Sequence, residues 1–405
     1  MSIKTDKRCW TTELGDLDKG PVPIGPYIDP DFFELERERI FRAVWLNVAR
    51  EEEVPNPGDY IVKEIEVLRT SIIIVRGKDK KVRAFHNMCS HRGNKVLIEK
   101  CGKVRGLTCF FHGWTFDLEG NLRGVPDEAG FFDLNKDELG LTEVASGAWE
   151  GFVFINVSKK PSQTLMEYLG DYAPAMAGFP LAKASTCYSW TVEMNVNWKV
   201  AKDAFAENYH VKALHRRSVA DALNFPDNPH GHALAFHVYG PHQCMSLGGN
   251  MDFEPSPMSL VAAKHGSGMK RYEISKGSDD FPPGINPTGA KNWIFELTSI
   301  FPNMNLHFFR NNFTTYNFWP LSVDRTLWEV KQYYIPAKNA SEAFAQEVHK
   351  NLFRDTVLED LSTLERTQSV LNSGAKDTFV LNDEEVLVRR FNKLVDEYIE
   401  VEPVS

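Results

Sequence analysis

The chain has 405 residues, with 46 basic against 55 acidic side chains, a net charge of −9, and 42% apolar and 25% charged residues. This length and balance call for a folded protein of two domains and exclude a disordered, fibrous or strongly basic nucleic-acid-binding chain. With no signal-like apolar start and no apolar run near the ~18 residues of a membrane span, the expectation is a cytoplasmic protein without membrane or nucleic-acid partners.

In chain order, residues 39–155 read as short strands between Gly, Pro, Asn and Asp turns: RIFRAVWLNVAR, GDYIVKEI, TSIIIVRG, VRAFHNM, LTCFFHGWTFDLEGN and GFVFINV. They predict a small all-β domain. From about residue 156 the pattern turns helical, in SQTLMEYLGDYAPAMAGF and in the longer NWKVAKDAFAENYHVKALHRRS. Residues 225–290 are rich in Pro, Gly, His, Met and Ser with weak periodicity, which reads as a lid or a long surface excursion. Three antiparallel strands are expected over KNWIFELTSIFPNMNLHFFRNNFTTYNFWPLSVDRTLWEVKQYYI, then a helix over SEAFAQEVHKNLFRDTVLEDLSTLERTQSVL. Strands followed by helices make 156–405 an α+β domain, on which residues 1–38 are expected to pack.

The six cysteines, in a chain of this size without a signal, are better candidates for metal ligation than for disulfides. Cys89-x-His91 is separated by 17 residues from Cys109-x-x-His112. A common zinc finger keeps both cysteines in one cluster and both histidines in the other; here each arm supplies one of each. That mixture suits two loop tips clasping a [2Fe–2S] cluster, thiolates on one iron and imidazoles on the other. CSHRG and CFFHGWTFDLEGN, with turn glycines Gly93 and Gly113, resemble the Rieske signature. By that resemblance Cys89, His91, Cys109 and His112 are the cluster ligands. Cys101, between the arms, has no companion histidine and reads as a bystander.

A second constellation lies in DAFAENYHVKALH, where Glu207, His210 and His215 stand at relative positions 0, 3 and 8. At about 100° per residue Glu207 and His210 are ~60° apart, but His210 and His215 diverge by ~140°. Two ligands to one metal at this spacing need a bend, bulge or helix end between them. The spacing is wrong for H-E-x-x-H zinc hydrolases. Together with Asn197, Trp198 and Lys199 ahead of it, NVNWKVAKDAFAENYHVKALH resembles the iron-binding segment of Rieske non-haem iron oxygenases, in the aromatic-ring-hydroxylating dioxygenase family.

The resemblance covers roughly residues 15 to 370, including ERERIFRAVWLNVAR, GAWEGFVFINV and FPNMNLHFF, and marks the chain as similar to the α, or terminal oxygenase, subunit. It implies a Rieske domain over 39–155 and a catalytic domain over 156–405 with a central antiparallel sheet flanked by helices, of helix-grip (START-like) type. It also implies a mononuclear non-haem Fe(II) held by His210, His215 and a carboxylate from RDTVLEDLSTLERTQ, of which Asp360 is chosen and Glu359 and Asp355 stay open. Glu207 is then a bridge carrying electrons from His112 of the next protomer to His210, in a homotrimer with or without β subunits. Where many members carry Glu-Asn ahead of the bridging acid, this chain has Lys202-Asp203.

O2 is the implied co-substrate, and the reaction a ring dihydroxylation, monohydroxylation or oxidative demethylation of an aromatic or other apolar small molecule. No G-x-G-x-x-G fingerprint for nicotinamide or flavin is evident, so a ferredoxin or flavin reductase must supply the electrons. Phe205, Val211 and Leu214 are candidates for the substrate pocket, and Arg310 for a carboxylated substrate. The contrasting expectation is an electron carrier or zinc-stabilised binding module in which His210 and His215 ligate nothing.

Overall fold

A computed structural model describes residues 9–15, 17–179, 183–265, 281–309 and 312–400. The chain divides into two compact units, one of residues 37–168 and one that joins residues up to 36 to those from 169 onward. The expected boundary near residue 156 therefore shifts. The strand-to-helix segment after it stays with the β-unit, because Trp45 Nε1 donates to the Gln163 carbonyl at 3.1 Å and Leu165 packs on Gly147, where even a Cβ would meet its side chain at 2.9 Å.

The first unit contains strands β1 (Leu46–Arg50), β2 (Asp59–Ile65), β3 (Thr70–Arg76), β4 (Val82–His86), β5 (Cys101–Lys103), β6 (Leu107–Thr108), β7 (Thr115–Phe116), β8 (Leu122–Gly124), β9 (Glu143–Trp149) and β10 (Phe152–Asn156). They form a seven-stranded sheet in the order β1-β10-β9-β4-β3-β2-β5 and a three-stranded sheet β6-β7-β8. Of the expected first strand, only Leu46–Arg50 is extended, and Arg37–Phe41 forms a π-helical turn instead. One core, of Tyr60, Ile73, Val75 and Phe85 from the larger sheet with Trp114 and Phe116, also buries Cys89 and Cys109; the first Cys-His loop follows β4 and the second joins β6 to β7.

In the second unit, β11 (Thr186–Met194), β12 (Ala235–Tyr239), β13 (His242–Gly248), β14 (Trp293–Ile300), β15 (Met304–Phe308), β16 (Asn312–Ser322) and β17 (Arg325–Tyr334) make one antiparallel sheet. Its order is β11-β17-β16-β15-β14-β13-β12. Two expectations fall here. Residues 293–334 hold four strands, because the short turn after Ile300 separates what read as one apolar run. The segment 225–290 is not wholly a lid or surface excursion: β12 and β13 form a hairpin through Gly240 and extend the sheet. Every residue of β13 is buried, and a strand buried on both faces shows no alternation to read.

The Ala340–Leu371 helix spans 32 residues. Its buried positions, Ala345, His349, Phe353, Val357, Asp360, Leu364, Gln368 and Leu371, recur every three or four residues and make one continuous stripe against the sheet. The long helix expected over residues 197–218 is instead two short ones, Trp198–Asp203 and Val211–Leu214, with an irregular turn between them. The N-terminal residues belong to this unit: Asp383 accepts from the Trp10 and Thr11 amides at 2.8 and 2.9 Å, and Tyr27 donates to Asp203 at 2.6 Å. Among the described residues no helix is long and apolar enough to cross a membrane.

Candidate metal centres and cavity

The two Cys-His loops of the first unit repeat one backbone device. The Cys89 amide donates to the Asn94 carbonyl and the Cys109 amide to the Trp114 carbonyl, both at 2.9 Å; Gly93 and Gly113 close back onto the Cys89 and Cys109 carbonyls, also at 2.9 Å. These glycines hold φ of 75° and 74°, which a side chain resists, and a Cβ on Gly113 would lie 3.1 Å from Pro126.

Each loop curls its amides toward its own sulfur. Those of His91 and Arg92 reach Cys89, and those of Phe111 and His112 reach Cys109, with Asn94 Nδ2 adding a contact to Cys109 Sγ at 3.7 Å. The thiols are buried and face one another, whereas the imidazoles are half-buried, with their Nδ1 atoms 3.2 Å apart. His91 is held flat against Trp114, ring centroids 4.9 Å apart. An inner thiol pair and an outer imidazole pair converging from two loops fit a Rieske [2Fe–2S] cluster. Cys101 sits exposed on β5, which pairs only at its inner edge with β2.

In the second unit the asparagine-tryptophan-lysine run is an anchor. Asn197 caps the Trp198–Asp203 helix by accepting from the Lys199 amide at 2.9 Å, and its own amide donates to Gln368. Trp198 Nε1 donates to Glu36 at 2.9 Å and the fully buried Lys199 ammonium pairs with the same carboxylate. Lys202 points at Ser299 and Asn305, and Asp203 at Tyr27, so neither reaches the cavity described below. Burial pushes Lys202 down to about 7 and Asp203 up to about 7.

The irregular turn after Asp203 brings His210 and His215 together, ring centroids 5.2 Å apart, although a straight helix would splay them. Asp360 enters from the buried stripe of the long helix. One ligand atom from each of the three lies within 4.8 Å of the others. Asp360 Oδ1 stands 3.2 Å from His215 Nε2 and 3.4 Å from His210 Nε2, yet it is buried and, among the described residues, has no properly directed hydrogen bond.

The other ring nitrogens are already engaged. Glu207 accepts from His210 Nδ1 at 2.5 Å and from the Tyr209 and His210 amides; Glu359 lies 2.7 Å from His215 Nδ1 and accepts from Ser218 at 2.7 Å. Each imidazole thus has its Nδ1 held by a carboxylate and turns its Nε2 edge to the Asp360 oxygen. Burial opposes a charged His210, but Glu207 and Asp360 outweigh it and carry its imidazole up to about 10. Two histidines and one carboxylate facing a shared point that favours positive charge fit a facial-triad iron. Asp355 is turned away to an exposed pair with Arg354.

The triad forms one side of a cavity of about 110 Å³, lined by Phe205, Val211, Met245, Phe295, Phe309 and Phe353 among others. Leu214, proposed from sequence as a lining residue, is half-buried and lies outside this lining. Arg310 lies outside the described residues. His307 and Tyr316, which sequence reasoning missed, also line the cavity. Burial pushes the His307 imidazole down to about 3, so it is neutral. The partnering role of Glu359 was missed too. The signal was the helix stripe, which puts Asp360 in register with Phe353 and Val357 and leaves Glu359 at its margin.

A family model for the Rieske [2Fe-2S] domain matches residues 44–139, and one for the ring hydroxylating alpha subunit (catalytic domain) matches residues 181–401. The chain is 34% identical over 201 residues to the carnitine monooxygenase oxygenase subunit of Escherichia coli K12, covering 48% of this chain and 52% of that one. It is 31% identical over 251 residues to the large oxygenase component of the naphthalene 1,2-dioxygenase system of Pseudomonas putida, covering 60% and 51%. The matched region spans about half the length of these relatives. In fold, it is similar to a quaternary ammonium Rieske monooxygenase, with a TM-score of 0.76 at 22% identity over 98% of this chain and 99% of that one. The catalytic-domain match leaves no place for a simple electron carrier or zinc module. With over half its length matched by the catalytic-domain model and a Rieske domain ahead of it, the chain belongs to the ring-hydroxylating oxygenase alpha-subunit family.

Proposed function

We propose that this chain is the terminal oxygenase of a multi-protein system, inserting oxygen from O2 into a small, largely apolar molecule with electrons from a separate ferredoxin or flavin reductase. The observation that carries this reading is the convergence of His210, His215 and Asp360, each imidazole fixed by its own carboxylate, on the edge of an apolar cavity. The cofactors are a Rieske [2Fe–2S] cluster and a mononuclear non-haem iron. Cys89, Cys109, His91 and His112 would hold the first, and His210, His215 and Asp360 the second. The cluster supplies single electrons and the iron an open coordination position for O2.

The protein's own contribution is positional. Phe205, Val211 and Phe353 exclude water from the reacting carbon, and Glu207 and Glu359 keep both Nδ1 protons in place so that the imidazoles present Nε2. Glu207 has its second role in a homotrimer, where it links His210 to the cluster histidine His112 of an adjacent protomer. Exposed Met88, Phe110 and Phe111 beside the cluster ligands support a buried contact at that end of the first unit.

Glu207→Gln tests the link. Both metals should stay bound, while reoxidation of a pre-reduced cluster in a single turnover slows by about 100-fold or more. Unchanged reoxidation would reject the bridge, and a protein holding zinc and no acid-labile sulfide would reject the whole reading.

A further inference from the structure

The cavity's sheet wall carries two polar groups that the described residues leave unmatched. β15 and β16 pair with Asn305 opposite Tyr316 and His307 opposite Thr314, so His307 and Tyr316 are diagonal neighbours on one face, their ring centroids 4.6 Å apart. Both side chains are buried, at 6% and 0% exposure. Among the described residues neither the His307 Nε2 nor the Tyr316 hydroxyl finds a partner, and of the cavity's lining residues only these two and Asp360 carry such a buried, unmatched atom. Around them the lining is Phe205, Phe295, Leu297, Phe309 and Phe353, which offer no hydrogen bond.

We propose that His307 and Tyr316 form a polar clasp that selects a substrate of about one-ring size bearing an uncharged hydrogen-bonding oxygen, a hydroxyl or carbonyl. A phenolic hydroxyl can donate or accept, and a neutral imidazole nitrogen does one or the other, so one substrate oxygen satisfies both. An occupant without such an oxygen leaves both groups desolvated and unmade, which is the costly case. Size follows from the volume. The cavity, at about 110 Å³, is smaller than the ~150 Å³ engineered apolar cavity that takes benzene, so a single ring is the upper limit of what it encloses.

The clasp also orients: an oxygen held on the sheet wall turns the opposite edge of the molecule toward the helix-borne triad. This inference rests on the oxygenase reading for calling the occupant a substrate.

The test is calorimetric titration of the metal-loaded protein with phenol and with toluene, which share a shape and differ in hydroxyl against methyl. Phenol should bind about tenfold tighter. Tyr316→Phe and His307→Phe should each remove most of that preference while toluene binds as well as before or better. Equal or tighter binding of toluene to the unaltered protein overturns the clasp, as does a phenol preference undiminished in both variants or tighter binding of glycine betaine than of phenol. The unaltered-protein comparison decides even if a variant fails to fold. Iron analysis of the same samples separates the two readings: full iron without phenol preference sinks the clasp alone, and phenol preference without mononuclear iron sinks the oxygenase reading alone.

Discussion

The two donor sets are built on opposite plans. The proposed cluster ligands come from two copies of one short loop, each closed by its own backbone hydrogen bonds and its own positive-φ glycine. The triad draws on an irregular turn at residues 204–210 and on a helix 150 positions later, and it is finished by two carboxylates, Glu207 and Glu359, that ligate nothing. A loop-borne site is complete wherever its loops fold. A site assembled from a turn and a distant helix exists only once the core has packed.

That contrast can be broken experimentally, and the largest effect should come from Asp360→Ala. It should lower iron by about one per chain and turnover by at least about a thousandfold, while the visible and paramagnetic signature of the cluster is retained. Loss of the cluster as well would show that the two sites do not fold independently.

Glu359→Gln probes a smaller element of the same plan. Iron affinity at the triad, read by competition with a chelator, should fall about 10- to 100-fold, with the cluster untouched. Unaltered affinity would reduce Glu359 to a partner of Ser218.

The smallest expected effect concerns His307 and pH. Its folded value lies near 3, below its ordinary 6.5, so between these the unfolded chain binds the extra proton. Stability is therefore lost as pH falls below about 6.5, by up to about 1.4 kcal/mol per pH unit from this group. His307→Phe should flatten the melting-temperature profile between about pH 6.5 and 4.5; an unchanged slope would mean that the imidazole is solvated.

The same contrast explains what could be read in advance. Cys89, His91, Cys109 and His112 sit in contiguous motifs whose spacing is itself the geometry, so the sequence displays them. His210 and His215 were legible with a stated demand for a bend, and the break after Asp203 is that bend. The third carboxylate was open among Asp355, Glu359 and Asp360 because all three share one polar stretch; only the register of Phe353, Val357 and Leu364 separates them. His307, Tyr316 and the strand His242–Gly248 were illegible for another reason. They lie in strands buried on both faces, where alternation disappears and a polar residue looks no different from its neighbours.

The long helix, about 48 Å of unbroken rod, places the Asp360 carboxylate and part of the cavity's apolar wall on one surface, with Phe353 two turns and Val357 one turn before Asp360. Exchanges at 353 and 357 that leave the helix backbone in place should enlarge or narrow the space with the carboxylate still at its edge. Diversification of what the cavity accepts then needs no compensating change at the metal. Drift in one face of one helix then changes the room available, while the sheet wall keeps its own demand on what fills it.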